Sequence, residues 1–200
     1  LDNGADINKL SLGWSPIRYV VSQGNYEIVN LLIDRGANIN LEEEEGNTVL
    51  ITACQRNYIH IATRLIDYMA KTDKENNNDW TELTWERYKG HLDQENNKGW
   101  TALTWACFKG HTDIVYLLLE RGANVNHADK NGMTALMFAS KLGYVQIVAM
   151  LLNYNADVSL TTNSHSEVPG WSATKFAQKS QHYAILHLLR DAAEIQQETK

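Results

Sequence analysis

The 200-residue chain contains little cysteine, little proline and no long apolar run. Its two cysteines, Cys54 and Cys107, are far apart in the sequence and each falls in a predicted helix, so we expect no disulfide and a reducing compartment. No apolar run approaches the ~20 residues that a membrane span needs, and no secretory signal leads the sequence. We therefore expect an intracellular protein, cytoplasmic or nuclear. The opening residues, LDNGADIN, look like a helix end and its loop, which suggests a fragment of a longer protein.

The chain also lacks an excess of basic residues. It has 18 lysines and arginines against 24 acidic residues, giving a net charge of −6. No global field therefore attracts nucleic acid or an acidic membrane surface. We expect neither nucleic acid nor membrane insertion, and a monomer as the isolated segment. The apolar content of 44% is enough for one core or for a string of small repeated units.

Patterns that would indicate catalysis or metal binding are missing as well. The chain has seven histidines, but no cysteine or carboxylate set completes a metal site around them. His182 and His187 are five residues apart, so they do not share a helix face. No phosphate-binding loop, nucleophile elbow or Cys-His pairing stands out. We expect no enzyme activity, no cofactor and no metal.

What the chain does contain is a repeated unit of about 33 residues. The unit reads as a turn, a short helix, a tight turn, a second helix and then Gly-Ala and Asn, as in GWTALTWACFKGHTDIVYLLLERGANVN. Thr134 follows Thr101 by one such period, whereas Ser172 follows Thr134 by five residues more, so one loop is longer than the others. The predicted repeats are residues 9–40, 41–70, 97–126, 127–159 and 168–192.

These residues resemble the ankyrin repeat, with its signature G-x-T-P-L-H-x-A-A, G-H, I-V, L-L and G-A-x-x-N at the same period. The resemblance covers nearly the whole chain, although the proline survives only as Pro16 and the signature histidine is replaced in every copy. It implies an all-α fold: an ankyrin-type helix-turn-helix solenoid with short β-turn fingers, forming a single array over 1–200. It also implies a protein-protein interaction module.

Particular residue types explain how each unit forms its turn and two helices. A Ser or Thr at the turn should cap the first helix by accepting a bond from a backbone N–H. Ala53 and Ala106, with their counterparts Ala139 and Ala177, keep that helix narrow for stacking. Gly36 suits the left-handed position that ends a second helix. One unit cannot bury its apolar face alone, so the units are expected to stack.

One stretch is duplicated. Residues 80–93 read WTELTWERYKGHLD, and residues 100–113 read WTALTWACFKGHTD. The first copy has Glu82, Glu86 and Arg87 where the second has Ala102, Ala106 and Cys107, and buried charges are costly. Repeat 2 has Met69 in place of the stop glycine, so its second helix could continue. We interpret 71–96 as an excursion between repeats 2 and 3; a degenerate sixth repeat or a purposeless duplication are the alternatives.

Aromatic and charged residues on the turns and first helices are the candidates for partner contacts. The tryptophans before the turn Ser or Thr either pack on the neighbouring turn or form a binding stripe, since Trp and Tyr contribute disproportionately to interfaces. The acidic run at 42–45 is either a solvated loop or a contact for a basic segment. The predicted partner-binding residues are Trp14, Glu44, Glu45, Trp80, Trp85, Tyr88, Trp100, Trp105, Phe108, Lys109, Lys130, Met133, Phe138 and Trp171.

Three functional hypotheses follow. The first is binding of a partner protein or peptide on the concave face of fingers and first helices. The second is a regulatory or targeting array of a larger enzyme or channel whose chemistry lies outside this segment. The third, implied by the resemblance alone, is hydroxylation of the asparagine after Gly-Ala, namely Asn8, Asn40 or Asn126.

Overall fold

The fold is a series of helix pairs, seen in a computed structural model that describes residues 6–41, 44–75 and 82–198. The described residues form eleven α-helices. By contacts the chain divides into two compact units, Leu1–Asn97 and Lys98–Lys200. A single continuous array over 1–200 therefore stays a prediction, and each unit is described by itself.

The first unit contains two predicted repeats and one additional helix. Helix α1 packs against α2 and α3, α2 also packs against α4, and α5 packs on α4. A short 3-10 turn at Glu44–Gly46 precedes α3. The bounds are α1 Pro16–Ser22, α2 Tyr26–Asp34, α3 Val49–Gln55, α4 Ile59–Glu75 and α5 Glu82–Leu92.

The second unit contains three helix pairs in a regular stack. The first helices α6, α8 and α10 form one row, and the second helices α7, α9 and α11 form the other. Each first helix also packs on the second helix of its own pair. The bounds are α6 Ala102–Lys109, α7 Thr112–Glu120, α8 Ala135–Leu142, α9 Val145–Asn153, α10 Ala173–Lys179 and α11 Tyr183–Glu198.

The start of every first helix is capped as the sequence predicts. Thr101 lies in extended backbone, and its side chain accepts a hydrogen bond from the backbone N–H of Thr104. The same bond recurs one repeat later between Thr134 and Met137. The four helix alanines are each 0% exposed, which confirms that they let neighbouring helices approach closely. The remaining caps are Ser15, Thr48 and Ser172.

In the second unit, the turns that precede the first helices, here called fingers, are joined by backbone hydrogen bonds. The N–H of Lys130 donates to the carbonyl of Lys98 over 3.5 Å, and the N–H of Asn163 donates to that of Asn131 over 3.0 Å. Donors and acceptors both recur at the spacing of one repeat. The fingers therefore stack with the same period as the helices.

An equivalent bond in the first unit connects the end of the duplicated region to an earlier finger. The N–H of Asn97 donates to the carbonyl of Glu45 over 2.9 Å. Beside it, the buried amide of Asn96 donates to the side-chain oxygen of Asn47 over 2.9 Å. The chain that follows α5 thus returns to the finger at residues 44–48.

Helix α4 continues well beyond the point where the other inner repeats end their second helix. Gly36 follows the end of α2 and Gly122 follows the end of α7, with φ of 82° and 83°. Both values confirm the predicted left-handed glycine after a second helix. Repeat 2 has Met69 there, and α4 continues to Glu75, beyond the predicted end of the repeat at 70. This continuation confirms what the missing glycine predicts. Residues 76–81 lie outside the described part of the chain.

The long α4 leaves one repeated hydrogen bond unmade. The side-chain oxygen of Asn126 accepts from the N–H of Asp157 over 2.8 Å, and its amide donates to the carbonyl of Asn155. The corresponding oxygen of Asn40 is buried and has no hydrogen-bond partner. Lys71 follows Asn40 by the same number of residues as Asp157 follows Asn126, so Lys71 is the corresponding donor position. That residue lies inside α4, where its N–H belongs to the helix.

The two asparagines should therefore respond differently to the same substitution. We expect Asn126→Ala to lower the free energy of unfolding by about 1–2 kcal/mol, because it removes two hydrogen bonds. Asn40→Ala should cost nothing or stabilise slightly, because its oxygen is already buried without a partner. Urea unfolding of both variants measures the difference. A larger loss for Asn40→Ala would mean that Asn40 has a stabilising role other than hydrogen bonding.

Candidate protein-binding site

Four aromatic side chains form a cluster on the first helices and a finger of the second unit. The ring centroid of Trp100 lies 4.6 Å from that of Trp105, 5.0 Å from Phe108 and 4.8 Å from Phe138. The rings meet at steep interplanar angles of 59–66°, which is the favoured geometry for aromatic pairs. Each ring fixes the others, so the cluster is a preformed apolar surface.

Asp129 holds the finger of repeat 4 and orients Trp100. One carboxylate oxygen accepts from the N–H groups of Asn131 and Met133, at 2.8 and 2.9 Å. The other accepts from the indole N–H of Trp100 over 2.9 Å. The side chain is only 6% exposed, and these three donors satisfy it. The tryptophan therefore has a fixed position at the edge of the finger.

A groove of about 560 Å³ lies between the fingers and the first helices of the second unit. Its floor is apolar and consists of Phe138, Phe176 and Met133, which are 7%, 4% and 8% exposed. Its rim carries charged and polar groups. The rim and wall residues are Lys98, Trp100, Asp129, Lys130, Asn131, Lys141, His165, Ser166, Glu167 and Val168.

One wall of the groove is the loop that contains the five extra residues. The buried hydroxyl of Thr162 donates to the carbonyl of Val168 and accepts from the N–H of Trp171, which closes the loop at its base. The amide of Asn163 donates to the carbonyl of Lys130 over 2.9 Å, tying the loop to the preceding finger. The wall is thus held by hydrogen bonds at both ends.

The structure brings four of the predicted partner-binding residues together in this groove: Trp100, Lys130, Met133 and Phe138. Trp105 and Phe108 lie beside it in the aromatic cluster and are half-buried. The indole nitrogen of Trp105 is buried and has no hydrogen-bond partner. Lys109 is exposed, with its ammonium 5.6 Å from the Phe108 ring. Trp171 packs on Phe176, with centroids 5.2 Å apart.

The remaining predicted residues belong to the first unit. Trp14 is half-buried beneath the guanidinium of Arg18, 4.4 Å from the ring centroid. Glu45 is exposed and its carbonyl carries the finger bond, while Glu44 begins the same turn. Trp80 lies outside the described residues, and of Trp85 only the place in α5 is described.

The expectation that Tyr88 offers a contact surface is wrong. Tyr88 is only 3% exposed, and Leu92, one helical turn further on, is 1% exposed. Because α5 packs on α4, this face of the helix is part of the core of the first unit. Tyr88 is therefore a core residue of the first unit rather than an exposed side chain.

Sequence reasoning missed several groove residues. The extra five residues between Thr134 and Ser172 were visible as a longer spacing, but nothing in that spacing shows that the loop folds over the groove. Lys141 was also missed, since it occupies a variable position of the first helix. Asp129 was missed because its role depends on Trp100, which is 29 residues away in the sequence.

The two cysteines have the environment of packing residues. Both are buried, and burial raises the pKa of each thiol far above its usual range. At neutral pH both thiols stay protonated, which disfavours nucleophilic or metal-binding roles. Among the described residues there is no cluster of three or more His, Cys, Asp and Glu side chains that could hold a metal ion. None of the helices in the described ranges is long and apolar enough to cross a membrane.

Comparison with known families agrees with this architecture. The family model for ankyrin repeats (3 copies) matches residues 1–78, 76–162 and 128–199, which together cover almost the whole chain. The chain belongs to the ankyrin repeat family. Proteins of this family are generally protein-protein interaction modules and typically lack enzyme activity of their own.

Curated relatives match over a shorter stretch. The ankyrin repeat, SAM and basic leucine zipper domain-containing protein 1 of Loxodonta africana is 46% identical over 55 residues, or 27% of this chain. The proteins of the same name from Chlorocebus aethiops and Mustela putorius furo are 44% and 42% identical over 55 residues. In each case the match spans only 11% of the relative's length.

Proposed function

We propose that this chain binds a partner protein or peptide on the finger and first-helix face of its second unit. The observation that carries this proposal is the groove, which combines a preformed aromatic floor with a hydrogen-bonded rim. Interfaces gain most of their energy from a few aromatic and charged residues around a desolvated centre. Trp100, Phe138 and Lys130 provide aromatic and charged residues around the groove, and Met133 adds apolar surface to its floor.

Rigidity supports the same proposal. The fingers on either side of the groove are joined by backbone hydrogen bonds, and the wall loop is closed by Thr162. A surface that is fixed before binding loses less conformational entropy when a partner arrives. The neighbouring aromatic cluster, together with Lys109 and Trp171, extends the proposed contact surface beyond the groove itself.

A bulky residue at the rim should test the location of the interface. Asn131 is exposed and lines the groove, so Asn131→Trp should obstruct it without removing a described side-chain bond. The matched control is Tyr116→Trp, which places the same residue at an exposed position of α7 on the second-helix face. Protein fragments selected for binding to the unmodified chain from a displayed fragment library serve as ligands.

We expect Asn131→Trp to weaken binding of these fragments by at least about tenfold, because the indole at the rim would keep the partner's anchoring side chains out of the groove. Tyr116→Trp should leave the affinity unchanged. Unfolding curves for both variants check that the fold is retained. The reverse ranking of affinities would move the interface to the second helices and contradict the proposal.

A second candidate is an array that regulates or targets a larger protein. The names of the curated relatives include a SAM domain and a basic leucine zipper, and the match covers about a tenth of their length. In that case the chemistry lies outside these residues. The full reading frame of the parent gene would distinguish an isolated binding module from one domain of a larger protein. An intracellular location, cytoplasmic or nuclear, and a monomeric state are part of the same proposal.

We also propose that residues 71–96 are an excursion from the repeat pattern. Two acceptors of the finger bonds, Lys98 and Asn131, are one repeat period apart, whereas Glu45 and Lys98 are separated by more than one period. The excess equals the offset between the two copies of the duplicated segment. Helix α5 packs mainly on α4, within the first unit. These observations support a duplicated segment that leaves the array after repeat 2 and returns to the finger of the same repeat.

A further inference from the structure

The chemistry of the groove points to one class of partner. Resting on the function proposed above, we propose that the groove binds a short extended peptide segment in which an acidic residue stands beside an apolar one. The segment would be part of a partner protein. Its carboxylate would meet the lysines of the rim, and its apolar side chain would rest on the phenylalanine floor.

The charge of the groove differs from that of the rest of the chain. Three lysines line it, Lys98, Lys130 and Lys141, against only two carboxylates, while the chain has a net charge of −6. One of those carboxylates, Asp129, is buried and already accepts three N–H bonds. Glu167 is the other and is exposed. A locally cationic site on an acidic protein favours anionic partners and disfavours basic ones.

The positions of two lysines connect the charge to the apolar floor. The ammonium of Lys141 lies 5.8 Å from the centroid of the Phe176 ring, so it stands above the floor. Lys130 is exposed, and its backbone is held on both sides, by Lys98 and by Asn163. A carboxylate bound to Lys141 would place an adjacent side chain against Phe176 and Phe138. This adjacency requires an acidic and an apolar residue side by side.

The size of the groove indicates a short segment. Its volume of about 560 Å³ lies within the range of roughly 300–1,000 Å³ that is usual for small-ligand pockets. That space accepts the side chains of a few residues, which is too little for a folded domain. The loop wall presents His165 and Glu167 along one side. A peptide in extended form can lie along such a wall.

The experiment uses a random peptide display library selected on the whole chain, followed by titration of a synthetic consensus peptide. We expect enriched peptides to carry Asp or Glu next to Leu, Ile, Phe or Met, and their affinity to fall as salt is raised. Lys130→Glu and Lys141→Glu should each weaken binding by about tenfold or more. Glu167→Gln should strengthen it.

The matched control is Lys179→Glu. Lys179 is an exposed lysine at the same position of α10 that Lys141 occupies on α8, but it does not line the groove. Lys179→Glu makes the same charge change one repeat further on. Because this residue lies outside the groove, peptide binding should be unchanged. Replacing the acidic residues of the peptide by amides provides the complementary test and should weaken binding to a similar extent as the lysine variants.

The outcomes separate this inference from the proposed function. Peptides that are neutral or basic, yet lose binding with Asn131→Trp, would overturn the acidic partner while keeping the interface. Acidic peptides whose binding is reduced equally by all three lysine variants would show a general charge effect and overturn the groove assignment. Peptides unaffected by Asn131→Trp and by both groove lysines would overturn both proposals. No enriched peptide at all would overturn the acidic peptide alone, because the protein fragments test the interface separately.

Discussion

Removing residues 73–92 and replacing Met69 by glycine should leave a chain that folds cooperatively, whereas removing residues 93–112 should not. Both deletions take out the same number of residues, so chain length cannot explain a difference. The first removes the additional helix α5 and joins Thr72 to Asp93. The second removes α6 and the finger before it. Urea unfolding followed by circular dichroism gives the comparison.

The first deletion restores the ordinary spacing of the repeat. With the segment removed, Thr48 and Thr101 become one repeat period apart, as Thr101 and Thr134 are. Met69 then corresponds to Gly122, which has φ of 83°. A methionine in that left-handed position costs about 1–2 kcal/mol, which the glycine removes. The hydrogen bond from Asn96 to Asn47 is present in the full chain, and we expect it to be kept after the deletion.

Some stability is still lost. Sequence alone suggests that this deletion costs little, but α5 buries Tyr88 and Leu92 within the first unit. Its removal uncovers apolar surface on α4, and we expect a cost of about 2–4 kcal/mol relative to the full chain.

The second deletion forces charge into the stack. The copy that remains would place Glu82, Glu86 and Arg87 where Ala102, Ala106 and Cys107 now lie at 0–1% exposure. Uncompensated buried charges cost several kcal/mol each, which is comparable to the whole stability of a small domain. We expect no cooperative transition. Identical unfolding curves for the two deletions would mean that the copies are interchangeable.

Met69→Gly in the full chain is the internal control. There the residue lies within α4 and is 2% exposed, so the substitution loses buried volume and puts glycine inside a helix. It should destabilise the full chain and stabilise the 73–92 deletion. A change of sign between the two backgrounds shows that Met69 changes from a helical residue to a turn residue. The same sign in both would show that residue 69 stays helical after the deletion, although the last three residues of α4 have been removed.

The helix pairs could be predicted from the sequence because their signals are local. A capping Ser or Thr, a narrow alanine and a left-handed glycine each act within a few residues, and the structure confirms them at Thr101, Ala106 and Gly122. The continuation of α4 could be predicted for the same reason, from the absence of a glycine at Met69. Local chemistry is sufficient for these features.

The groove could be predicted only in part because it joins residues from different repeats. Aromatic residues at repeated positions indicated Trp100 and Phe138, but the contribution of Lys141 depends on its distance from Phe176 in the neighbouring helix. The burial of Tyr88 likewise depends on how α5 lies on α4, which one helix sequence does not specify. Contacts between elements, and not the elements themselves, were the part that sequence reasoning could not supply.

Gly132→Ala should strongly destabilise the second unit, while Gly170→Ala should not. Both glycines lie two residues before the capping Thr or Ser, and both have positive φ, of 76° and 69°. At either position, the left-handed backbone conformation of an alanine costs about 1–2 kcal/mol of folding free energy. The two sites are therefore matched in local conformation and differ only in their surroundings.

The surroundings decide the outcome. A Cβ on Gly132 would lie 2.7 Å from the backbone nitrogen of Asn163 and 3.1 Å from the Cα of Thr162, whereas a Cβ on Gly170 meets no atom within 4 Å. Relief of the clash requires the next finger to move, which breaks the bond from Asn163 to the carbonyl of Asn131 and strains the loop that walls the groove.

The expected losses follow from these contacts. Adding one or two lost hydrogen bonds and overpacking to the backbone strain gives about 3–5 kcal/mol for Gly132→Ala, against about 1–2 kcal/mol for Gly170→Ala. Chemical unfolding measures both values, and equal losses would show that the fingers do not hold each other at this distance. The same contact positions the wall loop of the groove. Under conditions where the chain is still folded, Gly132→Ala should therefore also weaken peptide binding, whereas Gly170→Ala should leave peptide binding unchanged.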